Sequence, residues 1–108
     1  MSPTRKHVKV SKTPATKVVV MRLYVAGDAP NSLQAIANLE AICEEHLKGG
    51  HELEIIDILE QPLRSMADGV LVTPSLTKVS PRPTANIVGN LSEKSKVLLA
   101  LGVKGKGA

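Results

Sequence analysis

The sequence predicts one α/β domain, a sheet sandwiched with helices in the order β-α-β-α-β-β-α. Three observations carry this. Residues 18–25 (VVVMRLYV) are apolar and β-branched almost throughout, as expected of a strand covered on both faces. A second strand-like run, 52–59 (ELEIIDIL), follows a stretch with helical spacing. Two short strand-like segments, 75–79 and 84–88, are then divided by a proline-rich turn and followed by a closing helix. A chain of 108 residues builds one such core and not two.

After the first strand, residues 26–32 (AGDAPNS) read as a turn, with Asn31 or Ser32 capping the helix behind it. Leu33, Ile36, Leu39, Cys43 and Leu47 share one stripe of that helix, and Gly49-Gly50 stops it. Pro62 opens a short helix through Asp68, which Gly69 ends. Residues 70–72 lead into Pro74 and the third strand. Ser80-Pro81-Arg82-Pro83 turns the chain into the fourth. Ser92 is the expected cap of the last helix, with Glu93 in its first turn and Val97, Leu98 and Leu101 on its buried face. Strands joined through a helix are expected to be parallel. With a proline opening the third strand, the layout is similar to the thioredoxin-like α/β sandwich.

The net charge of +4 is unevenly placed. Residues 1–17 hold five Lys or Arg, 102–108 hold two, and neither stretch holds an acid. Between them seven bases meet ten acids, so 18–101 is a mildly acidic domain flanked by two basic flexible tails. Tyr24 is the sole aromatic residue, which argues against base stacking, and nucleic acid is not an expected partner. No apolar run approaches a membrane span and no secretory leader is visible. A single cysteine fits a reducing compartment, so the expected location is the cytoplasm.

The residues that carry chemistry do not assemble. A thioredoxin-type dithiol belongs between the first strand and first helix, and 26–32 contains no sulfur. Cys43 falls on the apolar stripe, where a structural thiol is expected. His46 and His51 flank Gly49-Gly50 without zinc-site spacing, and no phosphate-binding loop exists. Asp57, in an apolar run without a base or nucleophile beside it, reads as structural. No catalytic residue, metal or cofactor is expected.

Three separated segments, in order, resemble the KaiB family: 23–32 (LYVAGDAPNS), 56–59 (IDIL) with Pro62, and 71–79 (LVTPSLTKV) followed by 87–92 (IVGNLS). The resemblance implies a non-enzymatic clock regulator that binds a KaiC-type hexameric ATPase. It implies further partners in KaiA-like proteins and in competition with a sensor kinase, and homo-oligomers such as a dimer or tetramer. It also implies two folds, a thioredoxin-like monomer in equilibrium with a KaiB-specific ground state, with the X–Pro bonds at Pro74, Pro81 and Pro83 differing between them. Gly27, Asn31, Asp57, Gly89, Ala100 and Gly102 fall at the structural or fold-switching positions of the pattern. Arg22, Tyr24, Glu54, Lys78 and Arg82 fall at partner-binding ones. Two other readings stand beside this one: a thioredoxin-fold redox protein using a single cysteine, and a sensor-type interaction domain with a different partner.

The sequence departs from the family pattern where partners are met. The usual triple proline is Pro81-Arg82-Pro83, the basic pair after it is Ala85-Asn86, and two lysine positions hold Glu54 and Gly69. These changes imply a KaiC homologue of altered charge, or a different partner. The usual Gly-Leu-Asp is Ala100-Leu101-Gly102, and the acidic C-terminal extension is replaced by a Gly/Lys tail.

Overall fold

The computed structural model describes residues 7–12, 18–48 and 50–103. The elements are β1 (His7–Lys12), β2 (Val19–Val25), α1 (Pro30–His46), β3 (Gly50–Asp57), α2 (Pro62–Ala67), β4 (Ser75–Ser80), β5 (Ala85–Val88) and α3 (Lys94–Leu101). They form a five-stranded sheet in the order β1-β3-β2-β4-β5. β2 and β3 are parallel through α1, while β4 runs antiparallel to both β2 and β5.

Alternation along the strands sorts side chains onto two faces. Met21, Leu23 and Val25 of β2, Leu53 and Ile55 of β3 and Leu76 of β4 form one core with Leu39, Ile42 and Cys43 of α1 and Val97, Leu98 and Leu101 of α3. Residues of the opposite parity, among them Arg22, Tyr24, Glu54 and Thr77, lie on the other face. Among the described residues that face is covered by the six-residue α2 and the segment after it, which leave parts of it accessible.

Several expectations are corrected. The basic leader 1–17 is not a tail throughout: His7–Lys12 is strand β1, antiparallel to β3. The signal is the alternation of Val8 and Val10 with polar residues, which the charge of the segment conceals. On the other side, Gly102 and Val103 end α3, and 104–108 lie outside the described residues.

Neither expected capping side chain caps. Ala29 is the N-cap of α1, and Pro30 fills the first helical position, where its missing N–H costs nothing. Ser32 is buried inside the first turn instead, its Oγ accepting from the Ala26 N–H at 3.1 Å. Glu93, not Ser92, precedes α3, and the Ser92 N–H donates to Asn90 Oδ1 at 3.0 Å. Leu33 points to solvent, and Ala35 and Ile42 are buried in the stripe instead. β3 ends at Asp57, short of Leu59, because Asp57 Oδ1 takes the Leu59 N–H at 2.9 Å and folds the chain away.

Candidate functional site

Among the described residues, the face opposite the core carries a charged cluster built from three elements. β2 contributes Arg22 and Tyr24, β3 contributes Glu54, and α2 with its C-cap contributes Arg64 and Asp68. Arg22 registers with Glu54 across the parallel pair, which places both beside α2. The Arg64 guanidinium grips Glu54 with two hydrogen bonds, Nη1 to Oε2 at 2.6 Å and Nη2 to Oε1 at 2.9 Å. Two parallel bonds fix both planes, so this pair is more oriented than a single surface contact. The grip raises the Arg64 pKa further above its ordinary value, first through these hydrogen bonds.

Asp68 Oδ2 is the second node. It accepts from the Tyr24 hydroxyl at 2.7 Å and from Arg64 Nε at 3.4 Å, with Arg22 Nη1 at 3.9 Å. Burial, and then the bond to the Asp68 carboxylate, raise the Tyr24 pKa above its ordinary value of 10.0. Because Tyr24 is the only aromatic residue, ultraviolet titration of tyrosinate reads it alone. Its midpoint is expected above that of free tyrosine. The neutral phenol is the form favoured by folding, so its contribution is complete below about pH 10 and lost as pH rises through the folded value. A midpoint equal to that of free tyrosine would mean the phenol is neither buried nor bonded to Asp68.

Around the cluster the surface is apolar. Leu63 and Met66 of α2 are 79% and 74% exposed, and Leu71, in the segment between α2 and β4, is 93% exposed. A hollow lined by Tyr24, Asp68, Val70, Leu71, Ser75 and Val88 joins the cluster to this rim. Such side chains gain nothing from water, and together they make a surface suited to a protein partner.

The other sequence-selected residues divide as follows. Lys78, expected at the partner surface, is 3% exposed; its Nζ lies 3.5 Å from the Leu101 carbonyl at the C-terminal end of α3, where the helix dipole favours a cation. It belongs to the core face because it shares the parity of Leu76. Arg82 is exposed in the β4–β5 turn, away from the cluster; the bonds preceding Pro74, Pro81 and Pro83 are cis. Asn31 is exposed in the first turn of α1. Asp57 is buried, and its Oδ1 also accepts from the Gly27 N–H at 3.0 Å, tying the β2–α1 turn to the end of β3. Gly27 has φ +54°, and a Cβ there would stand 3.2 Å from Leu59 Cδ1, so the turn needs glycine. The Gly89 N–H donates to the Pro74 carbonyl at 2.9 Å. Ala100 is in the last turn of α3, and Gly102 is its left-handed C′ residue. Arg64 and Asp68 are the members that sequence reasoning missed.

Among the described residues no three His, Cys, Asp or Glu side chains gather as a metal site, and no helix is long and apolar enough to cross a membrane. Cys43 is 3% exposed within the core.

The strand order and helix placement, with an ion-pair cluster where a dithiol would not lie, define a thioredoxin-like domain whose prominent feature is a surface. Among solved structures it is similar to the N-terminal domain of Synechococcus elongatus SasA, with a TM-score of 0.66 and 20% identity over 91% of this chain and 95% of that one. It is also similar to the thioredoxin Deadhead of Drosophila melanogaster, with a TM-score of 0.61 and 11% identity over 76% and 78% of the two chains. The KaiB domain model matches residues 22–103. The circadian clock oscillator protein KaiB of Prochlorococcus marinus subsp. pastoris is 44% identical over 87 residues, 81% of either chain. The circadian clock protein KaiB3 of Synechocystis sp. is 45% identical over 89 residues, 82% of this chain and 87% of that one. The chain belongs to the KaiB family of circadian clock proteins.

Proposed function

We propose that the chain is a non-enzymatic regulator that docks on a KaiC-type hexameric ATPase and modulates its phosphorylation state or timing in the cytoplasm. Family membership supports the class of partner, and the relatives are named as clock oscillator proteins, not enzymes. The observation that supports the mode is the apolar rim of Leu63, Met66 and Leu71 around the Arg22–Tyr24–Glu54–Arg64–Asp68 cluster. The rim supplies area that loses water on docking. The cluster supplies a fixed charge pattern that selects among homologous partners. Arg82 adds a separate exposed cation on the β4–β5 turn, and KaiA-like proteins or a sensor kinase are further or competing binders in this reading.

Because Arg64 already neutralises Glu54 within the chain, the acid at position 54 is not a bare negative charge offered to a partner. The pair presents a mixed pattern, and the ATPase it fits carries fewer acids opposite position 54 than one that meets lysine there. Co-purification of the tagged full chain with each of the host's KaiC-type ATPases tests the proposal. A stoichiometric complex with one of them is expected. Failure to bind any of them would overturn it.

The single-cysteine redox reading needs an accessible thiolate. With Cys43 in the core, alkylation of the native chain is expected to be at least tenfold slower than that of the denatured chain. Modification at equal rates in both would revive the redox reading.

A further inference from the structure

The short helix α2 is mounted with its polar side toward the sheet and its apolar side toward water. Arg64 grips Glu54, Asp68 accepts from Tyr24, and Ser65 is buried, its Oγ donating to the Gln61 carbonyl at 2.9 Å. Residues three apart share a helix face, so Leu63 and Met66 stand together on the outer side. Arg64 and Asp68 each lie two residues from Met66, about 200° around the helix. Turning Met66 inward would therefore lift both from the sheet and break their bonds to Glu54 and Tyr24. The contacts that fix the charged cluster also hold the Met66 thioether in water.

Among the described residues three carry sulfur: Met21, Cys43 and Met66. Met21, 1% exposed, and Cys43 lie in the core, out of reach of a dissolved oxidant. Of the three, Met66 alone is open, and it sits on the apolar rim with Leu63 and Leu71. Oxidation of sulfur side chains follows exposure, so the sulfur that reacts is the one on the docking face.

We propose that Met66 is an oxidation site through which a peroxide weakens docking on the ATPase partner, an inference that rests on the docking function proposed above. The Met66 sulfur attacks one oxygen of hydrogen peroxide. The S–O bond forms as the O–O bond breaks, the sulfur gives up two electrons, and the second oxygen takes the proton of the first and leaves as water. The product is a polar sulfoxide in place of an apolar thioether. On the free chain its oxygen is hydrated, and the fold loses nothing. Docking would strip that water beside Leu63 and Leu71, and an acceptor buried without a donor weakens the complex. The partner in turn covers the sulfur, so the complex oxidises more slowly than the free chain. Methionine sulfoxide reductases reverse the change.

The test treats the full chain, unaltered and as Met66→Leu, with hydrogen peroxide and follows each methionine by peptide mass spectrometry. Met66 is expected to oxidise within about threefold of its rate in the denatured chain, and Met21 at least about tenfold more slowly than in that chain. After removal of peroxide, each chain is titrated against the ATPase that co-purifies with it, and compared with its own untreated form. Oxidation is expected to weaken binding of the unaltered chain about tenfold, about 1.4 kcal/mol, without lowering its melting temperature. Sulfoxide reductase is expected to restore the lost affinity. Whatever affinity Met66→Leu has, peroxide is expected to leave it unchanged, which separates Met66 from every other oxidisable residue. Protection of Met66 equal to that of Met21, equal affinity before and after oxidation, or an equal loss in Met66→Leu would overturn the proposal. An untreated chain that binds no KaiC-type ATPase would instead sink the docking function, and this inference with it.

Discussion

Replacing Glu54 by lysine is expected to weaken binding to the chain's own ATPase partner at least tenfold. The substitution removes both arms of the Arg64 grip, at 2.6 and 2.9 Å, and puts a third cation beside Arg64 and Arg22. Both side chains of the pair are partly open to solvent, 29% and 18%, so the stability cost is modest, about 1 kcal/mol. The larger effect is on recognition, because a charge pattern that fitted the partner is reversed at its centre. Binding to a KaiC that ordinarily meets lysine at this position is expected to improve. The double change Glu54→Lys with Arg64→Glu separates the two effects. It restores an ion pair, so thermal stability recovers, while affinity for the native partner does not. Calorimetric melting and binding titration of the unaltered chain and the two variants check this. Recovery of affinity in the double variant would show that the pair acts only by holding α2 in place.

The second large effect concerns the end of α3. Gly102 closes the helix: its N–H donates to the Leu99 carbonyl at 3.1 Å and the Val103 N–H to that of Leu98 at 3.0 Å. This 5→2 and 6→1 pair is the Schellman closure, which requires a left-handed residue, here with φ +76°. Lys78 Nζ lies beneath the same end, 3.5 Å from where a Cβ of residue 102 would stand. Ala100, within the last turn, favours helix over glycine by about 1 kcal/mol. Both choices stabilise the thioredoxin-like form against any alternative in which 94–103 leaves the core. Ala100→Gly is expected to shift a two-state population about fivefold away from the helical form. Gly102→Val, which puts a β-branched residue at positive φ, is expected to shift it further. Backbone chemical shifts of the unaltered chain are expected to show helix at 94–101 in the major species. An extended strand there, in a stable tetramer, would contradict the idea that these residues favour the thioredoxin-like form.

The order of the elements was legible because each carries its own local period: continuous apolar residues in β2, a helical stripe in α1, and proline and glycine between the rest. β1 was not, because five cations in seventeen residues outweigh the alternation of Val8 and Val10 in any compositional reading. The helix starts were misplaced because serine and asparagine advertise a cap, whereas Pro30 determines where α1 begins. The cluster was half legible. Arg22, Tyr24 and Glu54 lie on strands already recognised, but their partners Arg64 and Asp68 come from a six-residue helix with no periodic signal. Joining Glu54 to Arg64 requires knowing that α2 folds back over β3. Lys78 was assigned to the partner surface because it falls at a basic position of the family pattern, yet its parity with Leu76 already put it on the face that α3 covers.

The account rests on the α2 face meeting a KaiC-type ATPase. The most direct measurement is a binding titration of that purified hexamer with the unaltered full chain and with Leu71→Asp, a change at a side chain 93% exposed in the isolated chain. Circular dichroism shows in parallel that the variant keeps its fold. The account predicts a saturable complex for the unaltered chain and at least tenfold weaker binding for the variant. Equal affinity of the two chains for the hexamer would contradict it.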